Sequence, residues 1–452
     1  MSQLQTNRLN SWKEIAGYLD RDVRTVSRWE KEKGLPVHRV PGGKRKAIYA
    51  FTGEIDNWLA SANLENGDQT AGNHKQPLTL FQQQPRSIGV LSVFAAVIIV
   101  AALTAFLRLS RTPWEPAEVE FKNNEMFVRD KTGAIGWWYH FSRPLDRNVT
   151  AAASNSSRRT QIVDLDSRNG PEVIVVVGFS DSESRESHPA DGLFCFSSGG
   201  KALWNLAADA TFSFRDHDCG PPWISEDLLT FSNGSDRRIA WVSRHHMWWP
   251  GIVLLLDEKG QIVSKFVNSG WIMTLKTLEN RGGTFLLAGG ISNSNNSAMM
   301  AVLDAAKASG TSPEPAGSPY QCQNCPEGKP LRYLVFPRSE LAPYLGFEPN
   351  RVSGIYVTKD GVEVRVRESH AENEFGRVEA IYEFSRDLRL LGASFSDAFA
   401  EVHRFLENEG RLKHSLQECP ERSGPKAVRS WDPKNGWTEL RLQRKAESPS
   451  RL

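Results

Sequence analysis

The sequence predicts a multidomain protein: a small α+β winged helix-turn-helix, one transmembrane helix, and a large mainly-β, propeller-like C-terminal domain. Three observations predict it. The chain has 452 residues, too many for one ordinary domain. One apolar run, Ile88 to Leu107, carries no charged side chain. Residues 8–60 show capped helical spacing, whereas beyond the apolar run short β-branched and aromatic stretches alternate with turns. Charged residues at 24% and a net charge of +2 imply nothing about partners, so only local charge can.

In the N-terminal unit, Ser11-Trp12-Lys13-Glu14 is a capping box, in which Ser11 accepts from the first turn and Glu14 reaches back. Ile15, Ala16 and Leu19 follow at helical spacing. Asp22 caps a second helix from Val23 to Lys33, which Gly34 and Pro36 end. Val23, Val26 and Trp29 share one face of that helix; Arg24, Ser27, Arg28 and Lys31 share the opposite one. An apolar face for packing and a free cationic face suit a helix that enters a major groove. Two short strands then flank Gly42-Gly43-Lys44-Arg45-Lys46, a basic hairpin suited to phosphates or the minor groove. Thr52 to Leu59 closes the unit with Ile55, Trp58 and Leu59 on its apolar side.

The segment "SWKEIAGYLDRDVRTVSRWEKEKGLPVHR" resembles the winged helix-turn-helix of excisionase- and MerR-like regulators, and the likeness covers about residues 8 to 60. It implies double-stranded DNA as partner, with Arg24, Ser27, Arg28 and Lys31 on the bases and Lys44, Arg45 and Lys46 on the backbone. Eleven Lys or Arg stand against seven Asp or Glu over residues 1–60, a local excess of the required sign. A unit this small needs a homodimer to read a specific site.

Residues 61–87 are rich in Gln, Asn, Gly and Pro and read as a flexible linker. Residues 88–107 would, as a helix, extend roughly 30 Å, a bilayer core. The flanking cations nearly balance, Lys75 and Arg86 against Arg108, Arg111 and Lys122, so they assign no orientation. The DNA-binding end does: the expectation is a single-pass protein of the cytoplasmic (inner) membrane, N-terminus inside and C-terminal domain outside. The five Cys all follow the apolar run, as disulfides outside the cytoplasm would require.

Residues 114–445 carry strand-like runs such as "EVIVVVGF", "GLFCF", "GIVLLL" and "LRYLVF"; Asp397 to Leu406 is the best helix. "FVRDKTGAIGWW", "FCFSSGGKALWN" and "LLLDEKGQIVSK" repeat a strand, a polar turn ending in Gly133, Gly200 or Gly260, and another strand. Trp137 and Trp204 each follow their glycine by four residues. A propeller or a multi-sheet sandwich accommodates such a pattern. "IVDLDSRNGPEVIVVVG" resembles the FG-GAP/VCBS repeat of integrin-like β-propellers. That likeness implies a calcium turn at Asp164 and Asp166, but Arg168 stands where an acid is usual and opposes a cation, so no metal is expected.

Cys322 and Cys325 are the one C-x-x-C pair. No second ligand pair argues for zinc and Pro326 argues for a loop, so a local disulfide is expected. No phosphate-binding glycine motif or catalytic triad can be placed, and neither cofactor nor enzymatic activity is expected. The function expected is a membrane-tethered, one-component DNA-binding transcriptional regulator with an outer β sensor for an unknown ligand. The alternative is a membrane-anchored interaction or adhesion protein whose propeller binds protein or carbohydrate.

Overall fold

The computed structural model describes residues 8–39, 48–64, 114–146, 158–180, 191–247, 249–345, 349–368 and 376–442. The chain divides into two compact units, residues 1–106 and 107–452.

In the first unit, strands Arg8–Leu9 (β1), His38–Arg39 (β2) and Ile48–Phe51 (β3) form an antiparallel sheet in the order β1-β3-β2. Helix Trp12–Tyr18 (α1) starts where Glu14 N donates to Ser11 Oγ at 3.2 Å, while the Glu14 carboxylate accepts from Asn10 N at 2.8 Å. Asp20, at φ 50°, turns the chain into helix Val23–Glu32 (α2), capped by Asp22, whose carboxylate accepts from Thr25 N at 2.9 Å. The hydroxyl and amide of Thr25 hold the Asp22 carboxyl below its usual range. Helix Thr52–Leu64 (α3) runs past Leu59 into the stretch expected to open the linker. Ile15, Ala16, Val26, Leu35, Ile48, Ala50 and Ile55 make the core.

The expected anchor needs correction. Residues 88–107 lie outside the described residues, and among the described residues no helix is long and apolar enough to cross a membrane. The described chain is mostly β, with α1 to α3 and one further α-helix, Asp397–Asn408 (α4). The single-pass anchor, and the inner-membrane placement deduced from it, are withdrawn. Hydropathy suggested the anchor and the DNA-binding reading of the N-terminus its orientation, and an apolar run satisfies hydropathy whether it meets lipid or protein.

The second unit is β-rich. Its first sheet holds Glu118–Lys122, Glu125–Arg129 and Ile135–His140; its second holds Thr160–Val163, Glu172–Gly178, Asp191–Phe196 and Ala202–Ala207. The third runs through Trp223–Asn233, Asp236–His245, Gly251–Leu256 and Ile262–Asn268, with Gly310–Thr311 added in parallel at its edge. Ile272–Asn280, Gly283–Ser292, Ser297–Asp304 and Arg332–Phe336 build the fourth, which the C-terminal hairpin Arg429–Asp432 and Gly436–Glu439 completes. Arg351–Val357, Val362–Arg367, Glu379–Phe384 and Leu390–Phe395 form the fifth. That fifth sheet and α4 are inserted between two neighbouring strands of the fourth.

Each sheet packs face to face on the next, and the alternation along one strand explains how. In "EVIVVVG", Val173, Val175 and Val177 join Val119, Met126 and Val128 of the first sheet. Ile174 and Val176 point the other way, to Ile239, Trp241 and Leu254 of the third. Val253 and Leu255 then pack with Leu286 and Met299 of the fourth, and Leu287 and Met300 with Val364 and Tyr382 of the fifth. A sheet covered on both faces has no polar side, so its strands read as continuous apolar runs. The result is a propeller-like succession of sheets.

The repeated glycines lock it together. Asp130, Ser197 and Asp257 each accept at their carbonyl from the amide of Gly133, Gly200 or Gly260, and all three glycines have positive φ. Trp137 of the first sheet lies against Gly200 of the second and donates its ring N–H to Ser198 O at 2.8 Å. One sheet on, Trp204 lies against Gly260 of the third and donates to Glu258 O at 3.2 Å. A Cβ on Gly260 would stand 2.5 Å from the Trp204 ring, whereas Gly234, also at positive φ, faces open space. Gly260→Ala is therefore expected to cost about 1–3 kcal/mol of unfolding free energy, from backbone strain plus the clash. Gly234→Ala should cost less, since it carries the strain alone. Equal shifts of the urea midpoint would remove the ring contact from the account.

Candidate nucleic-acid interface

The candidate interface is the outward face of α2. Val26 is fully buried against α1, and Trp29 is half-buried, tilted 5.8 Å from Trp58. Trp58 donates to Lys33 O at 2.8 Å, so α3 supplies a partner to a carbonyl that ends α2. Val23, expected on the packed face, is 40% exposed. It stands in the first turn of α2.

Arg24, Arg28 and Lys31 are exposed and Ser27 is half-buried. These four lie within about 100° of arc at 3.6 residues per turn, opposite Val26. Arg28 approaches Glu32 at 3.9 Å, both well exposed, a pairing worth little against a phosphate or a guanine edge. Arg39 on β2 pairs with Glu30 at 2.6 Å and ties the sheet to α2. His38 Nε2 contacts Glu54 Oε2 at 2.6 Å while its ring stacks on Tyr49, so β2, β3 and α3 hold one another. Arg8 also lies over Tyr49, 4.1 Å from the centre of its ring. The three hairpin cations Lys44, Arg45 and Lys46 lie outside the described residues.

In the β unit, acids bridge successive sheets. Asp191 of the second accepts from Ser225 N of the third at 2.7 Å and pairs with Arg159 at 3.2 Å. Asp227 of the third accepts from Leu275 N of the fourth at 2.8 Å and pairs with Arg158 at 3.3 Å. Arg244 holds Glu226 at 2.6 Å. Burial raises all three carboxyls, opposed by the guanidinium beside each.

The remaining sequence candidates separate. Asp164 and Asp166 accept from Ser167 N and Arg168 N of their own loop and lie near Glu172, whose carboxylate accepts from Leu165 N. Burial, then those two acids, raise Glu172. Cys322 and Cys325 form a disulfide whose loop docks Asn324 on Ser213 N at 2.7 Å. Cys195, Cys219 and Cys419 are free and buried. His245 is buried too; burial, then His246, His217 and Arg244, lower it to about 4. Trp249 packs on Phe214, His217 and Tyr320, and Trp248 lies outside the described residues. A cluster that motif reading missed joins Glu340, His403, His414 and Cys419.

No family model and no curated protein matches the chain. Among solved structures it is similar to BamB from Moraxella catarrhalis, at 10% identity and a TM-score of 0.25, over 73% of this chain and 85% of that one. It is similar also to a point mutant of the Synechocystis apocarotenoid oxygenase, at 10% identity and a TM-score of 0.25, over 71% and 72% of the two chains. Scores this low carry no argument, and the β-rich character rests on this chain's own sheets.

Proposed function

We propose that the chain is a duplex-DNA-binding regulator, read by α2 as the recognition helix of a winged helix-turn-helix and supported by a β unit that receives a ligand or partner. The observation that carries the reading is α2 itself: a capped helix anchored through Val26, presenting three exposed cations and Ser27 on the opposite face. Lys44, Arg45 and Lys46, between β2 and β3 in the chain, would hold the phosphate backbone. The reading assigns no catalysis. Dimerisation would double the footprint.

Fluorescence anisotropy of the full chain on a pool of random duplexes, then on duplexes selected from it, tests this at several salt concentrations. Affinity should fall linearly on a log–log salt plot. Arg28→Ala should cost about 1–3 kcal/mol on the selected duplex and much less on the random pool, whereas Lys44→Ala should weaken both alike and lower the salt slope by about 1. Absence of duplex binding at low salt would sink the proposal.

A further inference from the structure

Three chain segments meet beside the fifth sheet. Glu340 follows the fourth-sheet strand Arg332–Phe336, His403 sits on α4, and His414 and Cys419 belong to the turns after that helix. His403 is fully buried and Cys419 nearly so, within an apolar shell that includes Leu341, Phe399, Val402, Leu406 and Leu412. Their polar atoms all point inward. His403 Nε2 lies 3.3 Å from His414 Nε2 and 3.3 Å from Glu340 Oε1; His414 Nε2 lies 3.2 Å from Glu340 Oε2. Cys419 Sγ donates to Glu340 Oε1 at 2.7 Å.

We propose that Glu340, His403, His414 and Cys419 bind one divalent transition-metal ion of zinc's type. Two imidazoles, a thiol and a carboxylate are the donors that zinc takes, whereas calcium and magnesium require all-oxygen shells and iron–sulfur clusters require mainly thiolates. The spacing fits as well. Ligand bonds of about 2.0–2.1 Å in a tetrahedron separate neighbouring ligand atoms by about 3.3 Å, close to the separation between the two imidazoles and between each imidazole and one oxygen of Glu340, Oε1 for His403 and Oε2 for His414. The thiol edge is shorter: metal binding displaces the Cys419 Sγ proton to solvent, and the edge opens by several tenths of an ångström to admit the roughly 2.3 Å zinc–sulfur bond.

The surroundings prepare the site. His403 Nδ1 is buried without a hydrogen-bond partner and lies 3.8 Å from Glu407 Oε2, a carboxylate of the kind that orients metal-bound imidazoles. Glu407 also accepts from Leu416 N at 3.1 Å, and Glu421 accepts from Glu340 N at 2.8 Å, so the ligand-bearing turns are tethered on both sides. Four protein ligands complete a tetrahedron and leave no open position, so the ion is structural. It would staple α4 to residues 409–424, which carry turns but no strand or helix.

The full chain, stripped with a chelator and kept non-reducing so that Cys322 and Cys325 stay joined, is titrated with cobalt(II) and then zinc. The expected result is about one cobalt per chain, with the intense visible absorption of four-coordinate cobalt and a near-ultraviolet thiolate band, both bleached by zinc. Cys419→Ser should lose the thiolate band, and His403→Ala should weaken binding more than about 100-fold. Zinc should raise the Tm of the wild type and not that of His403→Ala; if that variant fails to fold, Glu340→Gln takes its place. A stripped wild type that gives no cobalt spectrum overturns the site. So does the pale spectrum of six-coordinate cobalt without a thiolate band, which would place the ion on oxygen ligands such as Asp164, Asp166 and Glu172.

Discussion

Asp191→Ala lowers the unfolding free energy of the β unit by about 3–5 kcal/mol, the range for removing one partner of a buried ion pair. The Asp191 side chain has no solvent exposure and Arg159 retains little. Deleting the carboxylate strands the guanidinium, although one of its nitrogens keeps Ser225 O at 2.8 Å. It also leaves Ser225 N without its acceptor, because that amide donates to Asp191 Oδ2. Both losses fall at the joint between the second and third sheets. The double variant Asp191→Leu with Arg159→Met separates them. It should recover the ionic part and retain a deficit of about 1–3 kcal/mol from the Ser225 amide and carbonyl that lose their partners. Urea unfolding followed by tryptophan fluorescence reads the wild type, Asp191→Leu, Arg159→Met and the double variant. Additive costs of the two single changes would mean that the pair is not coupled.

Glu368→Gln stabilises the β unit at pH 8 by up to about 3 kcal/mol and leaves it almost unchanged near pH 4.5. Burial lifts the Glu368 carboxyl from 4.5 to about 7, against hydrogen bonds from Ser339 N and Asn350 Nδ2 that favour its charged form. The nearby Glu421 charge adds to the rise. The folded chain thus keeps a proton that the unfolded chain has lost between those two values. The contribution of Glu368 to stability is greatest below pH 4.5, declines as pH rises, and is lost once pH passes about 7. Glutamine keeps the oxygen that accepts from Ser339 N and Asn350, and carries no charge to desolvate. Unfolding free energies measured from pH 4.5 to 8 should therefore fall less steeply for the variant. Parallel curves would rule out Glu368 as the titrating group.

The cap residues Ser11, Glu14 and Asp22 were legible because capping is local: each carboxylate or hydroxyl bonds within four residues of itself. The helix expected from Asp397 was equally local and runs to Asn408. The glycine repeat at 133, 200 and 260 announced three like turns, but nothing local says that Trp137 and Trp204 reach forward to the next sheet's turn. Val23 shows the limit on a single helix. Periodicity assigned it to the packed face, and in the fold it is exposed.

The span expected at residues 88–107 has no counterpart among the described residues, none of whose helices is long and apolar enough to cross a membrane; apolar composition is a property of the chain, and what surrounds it is not. The four-ligand cluster lay beyond motif reading because Glu340 is remote from His403, His414 and Cys419 in the chain, and the fifth sheet stands between them in sequence.

The amino-acid sequence alone determined the caps, the cationic face of α2, the turns, and the strands that read as unbroken apolar runs, since all of these follow from interactions within a few residues. Tertiary structure decided which sheet covers which face, where buried charge is paired, and which distant side chains converge. Those depend on long-range packing, where each strand's two faces meet different neighbours.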